Sequence, residues 1–210
     1  MGYKSVRGPA QTEIVIKRSR FIAHVAPVST EAEAVAFIQR IRTEHAEATH
    51  NCYAYKAGNA VRLSDDGEPS GTAGRPIFDV IEKQAISDVC VVVTRYFGGI
   101  LLGAGGLVRA YSQSAAAGVE AAGVAETVPA LDLRLTLDYG LVGKVQYLLE
   151  QVGALTLDSQ YGHEVTVDCR ILGAWEADLL AQLQDLSAGR IQVERLRELN
   201  VGGDLRPLHD

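Results

Sequence analysis

Val89-Cys-Val-Val-Val-Thr-Arg-Tyr-Phe-Gly-Gly-Ile-Leu-Leu-Gly-Ala-Gly-Gly-Leu-Val-Arg-Ala-Tyr111 reads as a strand, a glycine loop and the start of a helix. Val89–Thr94 is short, apolar and β-branched, the pattern of a strand buried on both faces. Leu107 to Ala122 reads as a helix with Val108, Ala115, Val119 and Ala122 on one face. Between them, Gly98, Gly99, Gly103, Gly105 and Gly106 account for five of the 21 glycines. Glycines at this density permit positive φ and close backbone approach. Gly105-Gly106 at a helix entrance leaves backbone N–H groups free to meet an anion. Two nucleotide motifs are excluded. Ala104-Gly105 stands where a P-loop needs Lys-Ser/Thr, and Val108 stands where a dinucleotide fingerprint needs its third glycine. The loop is then either tight strand-to-helix packing or a backbone surface for an anion, a nucleic-acid phosphate or an extended peptide. Arg95 and Arg109 bracket it, and guanidinium groups suit bidentate phosphate contacts. Tyr96-Phe97 offers an aromatic platform of the kind single-stranded nucleic acids stack upon.

A second loop has the same character: Ser64-Asp-Asp-Gly-Glu-Pro-Ser-Gly-Thr-Ala-Gly-Arg-Pro76. Asp65, Asp66 and Glu68 are able to hold a hard cation, but they lack an EF-hand spacing, and three acids this close also make a solvated turn or pair with an arginine. Gly71, Thr72 and Gly74 before Pro76 form another helix entrance, with Arg75 adding charge. Ser70 and Thr72 lack an identifiable base. His45, His50 and Cys52 do not follow a standard zinc spacing, so no metal and no cofactor is expected. His50 reads instead as a polar group near the loops. Lys17, Arg18 and Arg20 form a small basic turn, either a solvated hairpin or a phosphate contact.

Working outward, Thr12–Lys17 and Arg20–Pro27 read as a hairpin, and Thr30-Glu-Ala-Glu33 as a capping box opening a helix that buries Ala34, Phe37, Ile38 and Ile41. His50–Lys56 is a third strand, and Pro76 is expected at the first position of a helix over Ile77–Gln84. The first 128 residues are therefore an α+β sandwich, one sheet covered on one face by helices. After a linker at Thr127–Ala130, Leu131–Asp138, Tyr139–Val152, Ala154–Gln160, His163–Leu172, Ala174–Leu186 and Arg190–Leu196 alternate in the order βαββαβ, which is ferredoxin-like. Trp175, Leu179, Leu183 and Leu186 mark the core face of its second helix. This domain is expected over 131–199, with a loose tail over 200–210.

Hydrophobic content of 47% with 22% charged residues is that of a globular protein with ample core. No apolar run reaches membrane-spanning length, and no secretory h-region opens the chain. Cys52, Cys90 and Cys169 are odd in number and dispersed, as reduced thiols in a cytoplasmic protein would be. The net charge of −6 is uneven: residues 1–129 hold 13 basic and 13 acidic side chains, and residues 130–210 hold 7 and 13. A polyanion would meet the first domain, while the second is better suited to contacting protein.

Lys17-Arg-Ser-Arg-Phe21, the 64–76 loop and the 95–111 stretch resemble the signature stretches of the IMPACT family, in its bacterial YigZ-like branch. The resemblance extends over both domains. It implies a ribosomal protein S5 domain 2-like fold for the first, and a second domain similar to the ferredoxin-like domains of translational elongation factors. It also implies a regulatory role linked to translation, and it transfers no catalytic residue. The expected function is a cytoplasmic regulator whose first domain binds RNA or a ribosome-associated protein through the glycine-rich surface. The rivals are an enzyme acting on a small phosphorylated ligand, with Asp65, Asp66 or Glu68 handling a proton, and a pure protein-interaction module.

Overall fold

The computed structural model describes residues 2–202, which divide into two compact units, one of residues 3–126 and one of residues 127–202 with Gly2. The first unit contains β1 (Lys4–Val6), β2 (Ala10–Ile16), β3 (Ser19–Pro27), α1 (Glu31–Glu44), β4 (His50–Ala57), β5 (Ala60–Ser64), α2 (Gly74–Lys83), β6 (Val89–Tyr96), α3 (Ala104–Ala122) and β7 (Val124–Glu126). Five strands form one antiparallel sheet in the order β2-β3-β6-β4-β5, and β1 pairs with β7 in a small second sheet.

β6 is central and inaccessible along Val89–Thr94. Its alternate residues serve two cores. Val89, Val91 and Val93 pack with Ile77 and Ile81 of α2 and Leu107, Tyr111 and Ala115 of α3. Cys90 and Val92 pack with Phe37, Ile38 and Ile41 of α1. Helices therefore cover both faces, not the single face expected. A strand apolar at both odd and even positions needs cover on both sides.

The capping box of α1 is complete: Thr30 Oγ1 accepts from Glu33 N at 3.2 Å, and Glu33 Oε2 accepts from Thr30 N at 3.3 Å. β5 was not anticipated. It pairs with β4 through a tight turn in which Gly58 has a φ of 54°. Pro76 sits at the third position of α2 rather than the first, still among the N–H groups that lack helical acceptors. α3 begins at Ala104, three residues before the expected start, and its buried stripe includes Leu107, Ala110, Tyr111, Ser114, Gly118 and Val119. Val108 lies outside that stripe and is 37% exposed. Gly118 lets α3 approach the sheet, since a Cβ there would lie 2.9 Å from Ala23 Cβ and Val25 Cγ2.

The second unit contains β8 (Val128–Leu137), α4 (Val142–Gln151), β9 (Leu155–Tyr161), β10 (Val165–Leu172), α5 (Glu176–Ser187) and β11 (Gln192–Val201). The sheet order β11-β8-β10-β9, antiparallel throughout, is that of a ferredoxin-like fold. Leu133, Leu135 and Ile171 meet Val145 and Leu149 of α4 and Leu179 and Leu183 of α5. The element boundaries differ from expectation by a few residues, most at the two ends of the unit. Pro129 and Ala130, read as linker, belong to β8, and Asn200 and Val201, read as tail, end β11. Residues 203–210 of the expected tail lie outside the described residues. Trp175 occupies a single 3-10 turn before α5 and is 46% exposed, so it does not join the core face.

Replacing Thr30 with Ala leaves the start of α1 without its side-chain acceptor. We expect a loss of about 1 kcal/mol in the denaturant transition of the first unit, with Thr30→Ser close to wild type.

Candidate functional site

The two glycine-rich loops meet at one end of the five-stranded sheet, and they meet through buried charge. Glu68 Oε1 accepts from Arg95 Nη1 at 2.6 Å and from the Tyr111 hydroxyl at 2.8 Å. All three side chains are buried. Glu68 Oε2 lies 3.8 Å from His50 Nε2. The other ring nitrogen, His50 Nδ1, is 2.8 Å from the Asp66 carbonyl, which can only accept, so Nδ1 carries the proton. Arg95 continues the network: Nη2 reaches Ser19 Oγ at 3.4 Å, and its guanidinium lies 5.4 Å from the ring centres of both Phe21 and Phe97.

The two aspartates of the acidic loop point elsewhere. Asp65 turns back over the start of α2, accepting from Gly71 N at 2.8 Å and from Ala73 N and Gly74 N at 2.9 Å each. Ala73, at the cap position, has no oxygen to offer, so Asp65 caps the helix from eight residues away. Burial raises the Asp65 carboxyl pKa, but the three backbone donors outweigh it and hold the pKa below its ordinary value. Asp66 crosses to the α1 side, where its carboxylate takes Arg42 Nη2 at 2.6 Å and Asn51 N at 2.7 Å. Positive φ values at Asp66, Gly67 and Gly71 let three nearby acids diverge this way.

Each of the three acids is therefore an acceptor within the fold, Glu68 and Asp66 with arginine partners and Asp65 with backbone N–H groups. Arg95, expected to contact a ligand phosphate, is held beneath the surface by Glu68. Thr72 donates to the Pro69 carbonyl at 2.6 Å, and Arg75 pairs with Asp79 on α2. Among the described residues, no group of three His, Cys, Asp or Glu side chains converges to hold a metal. The Cys52 thiol, 3.3 Å from the Tyr111 hydroxyl, is pushed up to about 12 by burial, which leaves it protonated and unreactive at neutral pH.

Tyr96 and Phe97 do not form a joint platform. Neighbouring strand residues face opposite sides, so Tyr96 turns toward α1, where its hydroxyl is 2.9 Å from His45 Nδ1 and Arg20 covers its ring. Arg20 is also held by a bidentate pair with Glu13. Phe97 stays on the Arg95 side and is 46% exposed.

What faces outward is the glycine loop and its neighbours. A Cβ on Gly98 would lie 2.0 Å from the Arg18 carbonyl carbon, so only glycine lets the loop press against the β2–β3 turn. In that turn Lys17 and Arg18 have φ of 45° and 66°, a left-handed pair normally filled by Asn-Gly. Each side chain costs about 1 kcal/mol there. Gly103, with a φ of 71° and no side chain, opens α3 without a cap, and the N–H groups of Gly105 and Gly106 precede the first helical bond, Leu107 N to Gly103 O. Arg109 Nη1 is 3.8 Å from where a Gly105 Cβ would be. Lys17, Arg18 and Arg109 are exposed, with no ion pair among the described residues. The loop apex is apolar, with Leu101 82% exposed. Ser19, Phe21, Arg42, Asn51 and Tyr111 were not anticipated. Of these, Tyr111 alone left a signal in the sequence, four residues after Leu107 on the buried stripe of α3.

Comparison with known proteins covers both units. The Impact N-terminal domain model matches residues 17–119, and a domain of unknown function (DUF1949) matches residues 135–190. The IMPACT family member YvyE of Bacillus subtilis is 40% identical over 199 residues, covering 90% of this chain and 92% of that protein. The IMPACT family member YigZ of Escherichia coli is 34% identical over 188 residues, covering 87% and 92%. A crystal structure of a hypothetical protein, 32% identical, superposes with a TM-score of 0.65 over 93% of this chain and 98% of its own.

The Asp65 cap gives a pH signature. Because its folded pKa is depressed, its stabilisation is present above the unfolded carboxylate value of about 3.9 and is lost as pH falls through the folded pKa. Asp65→Asn should be less stable than wild type at pH 7, and the gap should narrow steadily below about pH 4 in urea denaturation.

Proposed function

The chain belongs to the IMPACT family, whose members are regulatory proteins, and from that membership we propose that its first unit binds RNA as part of a cytoplasmic regulatory role linked to translation. One observation carries the reading. Arg109 stands exposed beside the uncapped N-terminus of α3, and Lys17 and Arg18 stand exposed in the turn that Gly98 of the same loop presses against, with no ion pair to any of the three among the described residues. Free N–H groups at a helix start and unpaired cations beside them suit a phosphate. The β2–β3 turn supports the same reading. It keeps Lys17 and Arg18 in a backbone conformation that neither favours, and strain of this sort gathers at functional positions.

The second unit differs among the described residues. Arg134 pairs with Asp168, Arg170 and Arg197 with Asp132, Arg190 with Asp138 and Arg195 with Glu176. Its excess of acid and its self-paired arginines favour a protein partner, which would connect an RNA-bound first unit to the machinery it regulates.

Fluorescence anisotropy with a labelled single-stranded RNA at low salt tests the proposal. Three phosphate contacts predict a slope of log affinity against log salt with a component of about −2. Lys17→Ala, Arg18→Ala and Arg109→Ala together should remove that component and weaken binding. No binding at low salt, or binding that the triple variant leaves unchanged, would sink the proposal.

A further inference from the structure

The aromatic ring beside the basic cluster says which form of nucleic acid the surface takes. Phe97 is fixed from several sides. Its N–H donates to Thr49 Oγ1 at 3.1 Å, and the next N–H, of Gly98, donates to Ser19 Oγ at 3.2 Å. The Arg95 guanidinium lies over its ring and over the ring of Phe21, 5.4 Å from each ring centre. Tyr111 then meets Phe21 edge-on, with ring centres 5.3 Å apart. Phe97 is thus the outer end of a packed column that runs from the core to solvent, and it remains 46% exposed. A ring that cannot retreat into the core, and that is ordered before any ligand arrives, loses little freedom on being covered.

We propose that Phe97 stacks on one unpaired base of a single-stranded nucleic acid, while the Lys17–Arg18 turn and Arg109 hold the phosphates on either side of that base. This rests on the RNA-binding reading of the same surface and adds the form of the ligand to it. Two observations and the chemistry of the bases select it. The Lys17–Arg18 turn lies beside the ring: Gly98, the residue after Phe97, presses on the Arg18 backbone, while Arg109 follows on the helix that the same loop enters. A buried guanidinium already lies over the ring, so its π electrons are drawn toward that cation and the opposite face is a poor seat for a second one, such as an arginine of a protein partner. A flat, neutral, electron-rich base suits that face better. A duplex does not, because its bases already cover one another and exposing one costs several kcal/mol.

The test compares a single-stranded RNA containing 2-aminopurine with the duplex of the same strand, for wild type, Phe97→Leu and Phe97→Tyr. The side chain is exposed and Leu preserves its bulk, so the variants should fold; circular dichroism confirms it. Phe97→Leu should weaken single-strand binding about 5- to 100-fold with an unchanged salt slope, and Phe97→Tyr should restore it. The 2-aminopurine fluorescence should change on binding to wild type and to Phe97→Tyr, but not on binding to Phe97→Leu. Equal loss of duplex and single-strand affinity in Phe97→Leu, or no loss of either, overturns the stacking assignment. If that happens while the Lys17, Arg18 and Arg109 component of the salt slope persists, the RNA-binding reading stands and the base contact alone is wrong. If that component is absent too, both fall.

Discussion

A carboxylate that is almost wholly removed from water holds this end of the molecule together. Burying Glu68 carries a desolvation cost of several kcal/mol, and Arg95 and Tyr111 offset it by supplying two charge-assisted hydrogen bonds to one oxygen. The three residues belong to a loop, to β6 and to α3. Joining them fixes the path of the acidic loop over the end of the sheet. With Glu68 anchored, Asp65 reaches back to cap α2, and Asp66 reaches across to Arg42 and Asn51. The same ion pair sets the height of Arg95, on which Phe97 rests. The outward surface is thus shaped by a contact that lies beneath it.

The consequence is a sorting of charge. Acids and arginines that crowd the two loops in sequence are divided in space into an inner group and an outer group. Glu68, Asp65, Asp66, Arg42 and Arg95 bond to one another or to backbone. Lys17, Arg18 and Arg109 face water beside free N–H groups and an exposed ring. The near-neutral composition of the first unit therefore conceals a locally cationic surface. The second unit differs, because its arginines face its own carboxylates across the ferredoxin-like sheet.

Much of the fold was legible in the sequence because it rests on local pattern. The unbroken apolar run of β6, the Thr30–Glu33 capping box and the βαββαβ alternation each occupy a short window with a physical meaning of its own. The cover on both faces of the sheet was implicit in Cys90 and Val92, but locating it required knowing which helix crosses over. The site was legible in location and not in role. Its bonds link residues far apart in the chain, such as Glu68 with Arg95 and Tyr111, or Arg42 with Asp66. Adjacent acids take opposite courses because of positive φ at Asp66 and Gly67, which composition does not reveal. The separation of Tyr96 from Phe97 was readable from strand alternation, since β6 runs through Tyr96.

A double-mutant cycle on Arg95 and Glu68 tests most directly whether this buried pair organises the two loops. Arg95→Met leaves a buried carboxylate without its cation, and Glu68→Gln leaves a buried guanidinium without its anion, so each single change should cost about 3–5 kcal/mol. The double variant keeps an amide for Tyr111 and an unbranched side chain between Phe21 and Phe97. It should be more stable than the sum of the singles implies, with a coupling of about 2–3 kcal/mol. Losses that simply add, or singles indistinguishable from wild type, would contradict the account.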